Sequence, residues 1–164
     1  IAALPVLNAC STQPPAGMTP VGPFQIERYL GKWYEIARLD HSFERGLSDV
    51  SATYRLQDDG SVQVVNRGFD GKRNEWREAV GRALFNGDPT RASLKVSFFG
   101  PFYGGYNVIR LDDKYQYALV SGPNRDYLWI LSRTPTIPDA VKQDYLNTAR
   151  SLGFRVDQLV WVKQ

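Results

Sequence analysis

The sequence predicts an all-β fold: an eight-stranded antiparallel up-and-down barrel, then one α-helix and a short final strand. Two observations lead there. From Gly31 onward the chain falls into short runs rich in Val, Ile, Tyr, Phe and Trp, separated by clusters of Gly, Pro, Asp and Asn. Most of those separators are only about two to five residues long, which makes consecutive strands antiparallel neighbours. A series of such strands closes into a barrel because closure removes the exposed edges.

The elements follow in order. The first two strands are expected from Trp33 to Asp40 and from Val50 to Leu56. Asp58-Asp59-Gly60 turns the chain into a third from Val62 to Phe69, and Asp70-Gly71 precedes a fourth from Trp76 to Phe85. Asn86-Gly87-Asp88-Pro89 leads to a fifth from Leu94 to Phe99, and the sixth spans Tyr106 to Leu111. Asp112-Asp113 and Ser121-Gly122-Pro123-Asn124 bracket a seventh from Tyr115 to Val120, and the eighth runs from Tyr127 to Arg133. The period then changes: Pro138-Asp139 opens a stretch with Val141, Tyr145, Leu146, Ala149 and Leu152 at helical spacing, which Gly153 stops. Gln158 to Lys163 returns as strand.

Composition removes much chemistry. The 164 residues make one domain, with 43% hydrophobic and 23% charged residues, as in an ordinary globular chain. Twenty Lys and Arg against seventeen Asp and Glu leave +3 without a basic run, so nucleic acid is not an expected partner. One Cys excludes an intramolecular disulfide, and one Cys with one His excludes a zinc site made only of those residues. Aromatics reach 13%, a load that suits strands or an apolar pocket.

The N-terminus reads as three pieces. Residues 1–9 are mostly apolar and too few to span a bilayer, which takes about 20; they look like the remnant of a lipoprotein signal peptide. Leu7-Asn8-Ala9-Cys10-Ser11 resembles the bacterial lipobox, so Cys10 is expected to be lipidated and to anchor the chain. Residues 10–23 hold four prolines and two glycines and are expected to form an extended tether, with a reach on the order of 40 Å. The barrel domain is residues 24–164.

The chain resembles the lipocalin family. Gly31-Lys32-Trp33 is similar to that family's Gly-x-Trp signature, Asn124-Arg125-Asp126-Tyr127 to its second motif, and Arg133 stands where its third has an Arg. The runs Trp33 to Arg38, Val96 to Tyr106 and Tyr127 to Arg133 most resemble the family's bacterial outer-membrane members. The resemblance implies a lipocalin barrel with the C-terminal helix packed outside. It also implies a structural floor, built on Gly31, in which the Arg133 guanidinium stacks across the Trp33 indole. A Gram-negative outer membrane is implied as the location, with a lipid-anchored barrel in the periplasm.

The family's register implies a ligand-binding interior. Trp33, Glu35, Ala37 and Leu39 would face inward on the first strand, and Ala52 and Tyr54 on the second. Ala79, Gly81, Ala83 and Phe85 would do so on the fourth; three of these are small, which leaves room for one slim ligand. Val96, Phe98, Tyr106, Val108, Ala118 and Val120, then Tyr127, Trp129 and Leu131, complete the lining. Phe98 to Tyr106 packs five aromatics with Gly and Pro into nine residues, read as an apolar loop in which Phe102 and Tyr103 greet a lipid tail or a second copy of the chain. Glu35, facing inward, must find a partner. Arg38 and Arg110 are candidate cations near an entrance, although a solvated face is the ordinary fate of such residues.

The function so implied is a membrane-anchored carrier of fatty acids or lysophospholipids, serving the cell envelope or transport under stress, with a homodimer as a further partnership. It is not expected to be an enzyme and no cofactor is expected. The alternative is a lipocalin-type enzyme with isomerase or epoxide chemistry on a lipid, for which Glu35 is the one internal carboxyl. His41, in the first loop and expected to be solvent-exposed, is a poor haem ligand without a supporting framework.

Overall fold

A computed structural model of the protein describes residues 12–164. The expected signal remnant and the expected lipidation of Cys10 lie outside the described residues. Strands β1 (Gly31–Leu39), β2 (Leu47–Leu56), β3 (Val62–Asp70), β4 (Glu75–Phe85), β5 (Ser93–Phe99), β6 (Phe102–Leu111), β7 (Tyr117–Ser121) and β8 (Leu128–Ser132) pair antiparallel in sequence order. The first half of β1 pairs with β2, and β1 pairs with β8 on its other side, so the sheet closes into a barrel. Helix α1 (Ile26–Tyr29) precedes β1, and helix α2 (Asp139–Ser151) leads through a short 3-10 turn to β9 (Leu159–Trp161), bonded to the outer half of β1.

Two apolar clusters divide the buried residues. One fills the barrel, with Phe24, Tyr29, Trp33, Tyr54, Val64, Leu94, Val108 and Val120. The other is a seam between the outer wall and α2, where Ile36, Leu119, Leu128 and Ile130 meet Tyr145, Ala149 and Phe154. The spacing of Tyr145 and Ala149 puts both on one face of α2, and the Tyr145 hydroxyl donates to the Tyr117 carbonyl at 2.9 Å. Gly153, at φ +90°, ends the helix in the left-handed region, and the Phe154 N–H returns to the Ala149 carbonyl.

The floor has the expected form. The Arg133 guanidinium lies 3.9 Å over the Trp33 ring and donates to the carbonyls of Arg28, Leu30, Lys32 and Tyr115. The Trp33 indole N–H caps the Tyr29 carbonyl at 2.8 Å, which fixes α1 as a plug under the barrel. Arg125 of the second motif is a joint. It donates to the Leu152 carbonyl at the end of α2 and to the Ala16 carbonyl of the N-terminal segment.

Two expectations change. The stretch from Phe98 to Tyr106 is a hairpin rather than a loop: β6 starts at Phe102, and Val96 pairs with Gly104. Residues 12–23, expected to extend as a tether, lie along the barrel. Met18 is buried in the outer seam, the Val21 N–H donates to Val108, and Asn86 donates to the Thr12 carbonyl. The proline-rich backbone has few N–H groups to offer, so docking draws on the buried Met18 side chain, the Val21 N–H and carbonyls such as those of Thr12, Ala16 and Val21.

Candidate functional site

The barrel has a closed end and an open one. At the open end stand the loops 40–46, 71–74, 100–101 and 122–127. His41 bridges two of them: its ring stacks on Tyr127 at 3.9 Å and its Nε2 donates to the Asp126 carbonyl at 2.7 Å. His41 is therefore half-buried and clasped, not a free mouth residue. Tyr127 packs so closely on Gly122 that a Cβ there would meet Tyr127 Cγ at 3.0 Å.

Most of the expected lining faces the interior. Ala52, Tyr54, Ala83, Val108, Ala118, Val120 and Leu131 are buried in the inner cluster, with Val96, Tyr106 and Trp129 packed against it. Glu35 is 3% exposed and paired across from Leu131. Ala37 and Leu39 do not join them. A β-bulge at Ile36, where Glu35 faces Leu131 and Ala37 faces Ile130, reverses the alternation, so Ala37 and Leu39 turn into the outer seam. The same slip turns Arg38 inward against Trp129, where it is 2% exposed.

Other positions also depart from expectation. Tyr103 stands on the outer wall with the Lys95 ammonium over its ring at 5.1 Å, since Gly104, opposite Val96, takes the inward place. Arg110, by contrast, takes the ordinary solvated place, outside on Asp144 of α2 at 2.8 Å, where an extra residue at Ile109 shifts β6 against β7. Ala79 is exposed where β4 runs on beyond its pairing with β5. Gly81 does not leave empty space: the Phe98 ring lies over it, 2.7 Å from where a Cβ would stand. Phe99 and Phe102 form an exposed aromatic tip, at 82% and 77% exposure.

Toward the closed end, Phe24, Ile26, Tyr29, Tyr54, Val62, Ala83, Leu94, Val96 and Tyr106 enclose a cavity of about 10 Å³, about the room of one water. Phe24, Ile26 and Tyr29 come from α1 and the residues before it, which the sequence reading missed because one helical turn carries no period. Tyr106 shares hydrogen bonds with Tyr29 at 2.6 Å and with Tyr54 at 2.7 Å. Two bonds among three hydroxyls leave one O–H to spare. Burial pushes all three phenols above their ordinary value, so they stay neutral donors.

Near the open end the interior is charged. Arg38 Nε lies 3.0 Å from Asp40 and 3.9 Å from Glu44, and Arg38 Nη1 lies 3.6 Å from Glu35 Oε2. Glu44 comes from the loop after β1, yet its Oε1 accepts the Trp129 indole N–H at 2.9 Å. Burial, then the Glu44 carboxylate beside it, push the Glu35 carboxyl well above the usual carboxylate range; Arg38 opposes them. Asp40 and Glu44 answer the charge of Arg38, so Glu35 can keep its proton.

Comparison with known proteins follows the same lines. The lipocalin-like domain family matches residues 24–164. The outer membrane lipoprotein Blc of Citrobacter freundii is 60% identical over 163 residues, covering 99% of this chain and 92% of that protein. The protein of the same name from Vibrio cholerae is 51% identical over 160 residues, covering 97% and 93%. Insecticyanin of the tobacco hornworm Manduca sexta, a solved structure, superposes with a TM-score of 0.73 at 20% identity, over 90% of this chain and 84% of that one.

Proposed function

Because this chain belongs to the lipocalin family, we propose that it is a lipid-anchored carrier of the Gram-negative outer membrane, holding a fatty acid or a lysophospholipid in its barrel. The observation that carries the reading is the polarity of the interior. Apolar walls and neutral tyrosines fill the closed end, and Glu35, Arg38, Glu44 and Trp129 gather below the open one. A single-chain amphiphile matches that gradient, tail down and head at the mouth.

The cavity of about 10 Å³ is too small for a tail as it stands, so entry requires side chains to move. Phe98 is the side chain placed to move in that opening: its ring lies over Gly81 and it is 37% exposed. Burying a tail of about fifteen methylenes would contribute on the order of 12 kcal/mol gross, at about 0.8 each. Side-chain rearrangement and association costs take back much of this. A bilayer anchor at Cys10 and localisation to the outer membrane are supported by the relatives' descriptions.

Delipidated protein titrated with saturated fatty acids and lysophospholipids of graded length tests the reading through tryptophan emission, since Trp129 lines the path. A saturable change that strengthens with chain length is expected. An emission unchanged at every length overturns the proposal.

A further inference from the structure

Glu44 is a mouth-loop residue whose carboxylate is not at the surface. It reaches into the barrel, accepts the Trp129 indole N–H at 2.9 Å, and lies 3.9 Å from Arg38 Nε, while its carbonyl accepts Arg38 Nη2 at 3.0 Å. Beside it, Glu35 Oε2 is buried without a hydrogen-bond partner among the described residues. We propose that Trp129, Arg38 and Glu35 form the headgroup subsite of the barrel, and that Glu44 occupies it as an internal stand-in which an anionic oxygen head, carboxylate or phosphate, displaces. The inference rests on the carrier reading and supplies the chemistry of its head.

Charge and donors both argue for exchange. An indole N–H can only donate, and left without an acceptor inside the barrel it would lose a hydrogen bond for nothing. Arg38 likewise needs negative charge near it. Replacing the Glu44 carboxylate by a ligand's oxyanion conserves the charge and refills the same donors, whereas a hydroxyl or ester head does not. The Glu35 proton, held there by burial and by its neighbour, adds a third donor. The outward path is short: Ser42, Phe43, Arg45 and Gly46 around Glu44 are exposed, and Gly46 lies at φ +80°. Swinging the side chain out leaves the His41 clasp on Asp126 and Tyr127 in place.

The test uses palmitate, palmitoyl lysophosphatidate and hexadecanol as carboxylate, phosphate and neutral heads on one tail length. Binding is measured on the wild type, Glu44→Ala, the near-isosteric Glu44→Gln, and Glu44→Ala combined with Trp129→Phe. Removing the stand-in is expected to raise affinity for an anionic probe relative to hexadecanol by about tenfold or more, the scale of one charge-assisted hydrogen bond. Adding Trp129→Phe is expected to cancel most of that gain. A gain for palmitate alone or for lysophosphatidate alone identifies which head the subsite takes. An anionic-to-neutral ratio unchanged in both Glu44 variants, with binding intact, overturns the subsite and leaves the carrier reading standing. No binding of any probe to any variant overturns both.

Discussion

Replacing Arg133 with alanine removes a stacked cation and a four-pronged tie at the floor of the barrel. The guanidinium lies 3.9 Å over Trp33 and reaches the carbonyls of Leu30 and Arg28 at 2.9 Å and of Lys32 and Tyr115 at 3.1 Å. The stack contributes about 1–2 kcal/mol. The four partly solvated hydrogen bonds contribute on the order of 0.5–1 kcal/mol each. Together the loss is about 4 kcal/mol, which at ~2–4 °C per kcal/mol for a chain of this size lowers Tm by roughly 8–16 °C. Arg133→Lys keeps the charge but not the planar fork, so it is expected to fall nearer the alanine variant than the wild type. Urea unfolding midpoints with unchanged slope, together with calorimetry, measure both. A loss under about 1 kcal/mol for Arg133→Ala, or a lysine variant as stable as the wild type, refutes the floor as an energetic element.

Three further outcomes are expected. Glu35 holds its proton more tightly folded than unfolded, so its share of stability is full below the ordinary carboxyl value of 4.5 and is lost as pH rises through the raised one. Glu35→Gln should therefore flatten the decline in urea midpoint above that value; a variant whose pH profile parallels the wild type's rejects the assignment. Gly122→Ala would drive a Cβ into Tyr127 and close on Trp129, a clash costing on the order of 1–3 kcal/mol. Gly87→Ala, which meets open space, should stay within about 0.5 kcal/mol of wild type in the same denaturation series.

The barrel was legible because its turns are written in Gly, Pro, Asp and Asn, and because helical spacing shows through Tyr145 and Ala149. What escaped depends on features without a sequence period. One extra residue at Ile36 inverts Ala37 and Arg38, and alternation by twos cannot show where it falls. Gly104 and Gly105 read as loop, yet they pair with Val96 and Lys95 because the partner strand supplies the order that glycine lacks. The small wall at Gly81 suggested room, but the Phe98 ring from the adjacent strand covers it. Glu44 escaped because a charged loop residue ordinarily faces water, and only its contacts with Arg38 and Trp129 show it turned in.

The bulge at Ile36 has a consequence for how this interior came to be polar. The same residues without the bulge, alternating by twos from Trp33, would carry Arg38 out beneath α2 and bring Ala37 into the lumen, leaving Glu35 without its cation. One local break in strand pairing, without any change of residue type, thus decides whether the lumen holds a cation. Selectivity in such a barrel is set by counting as much as by chemistry.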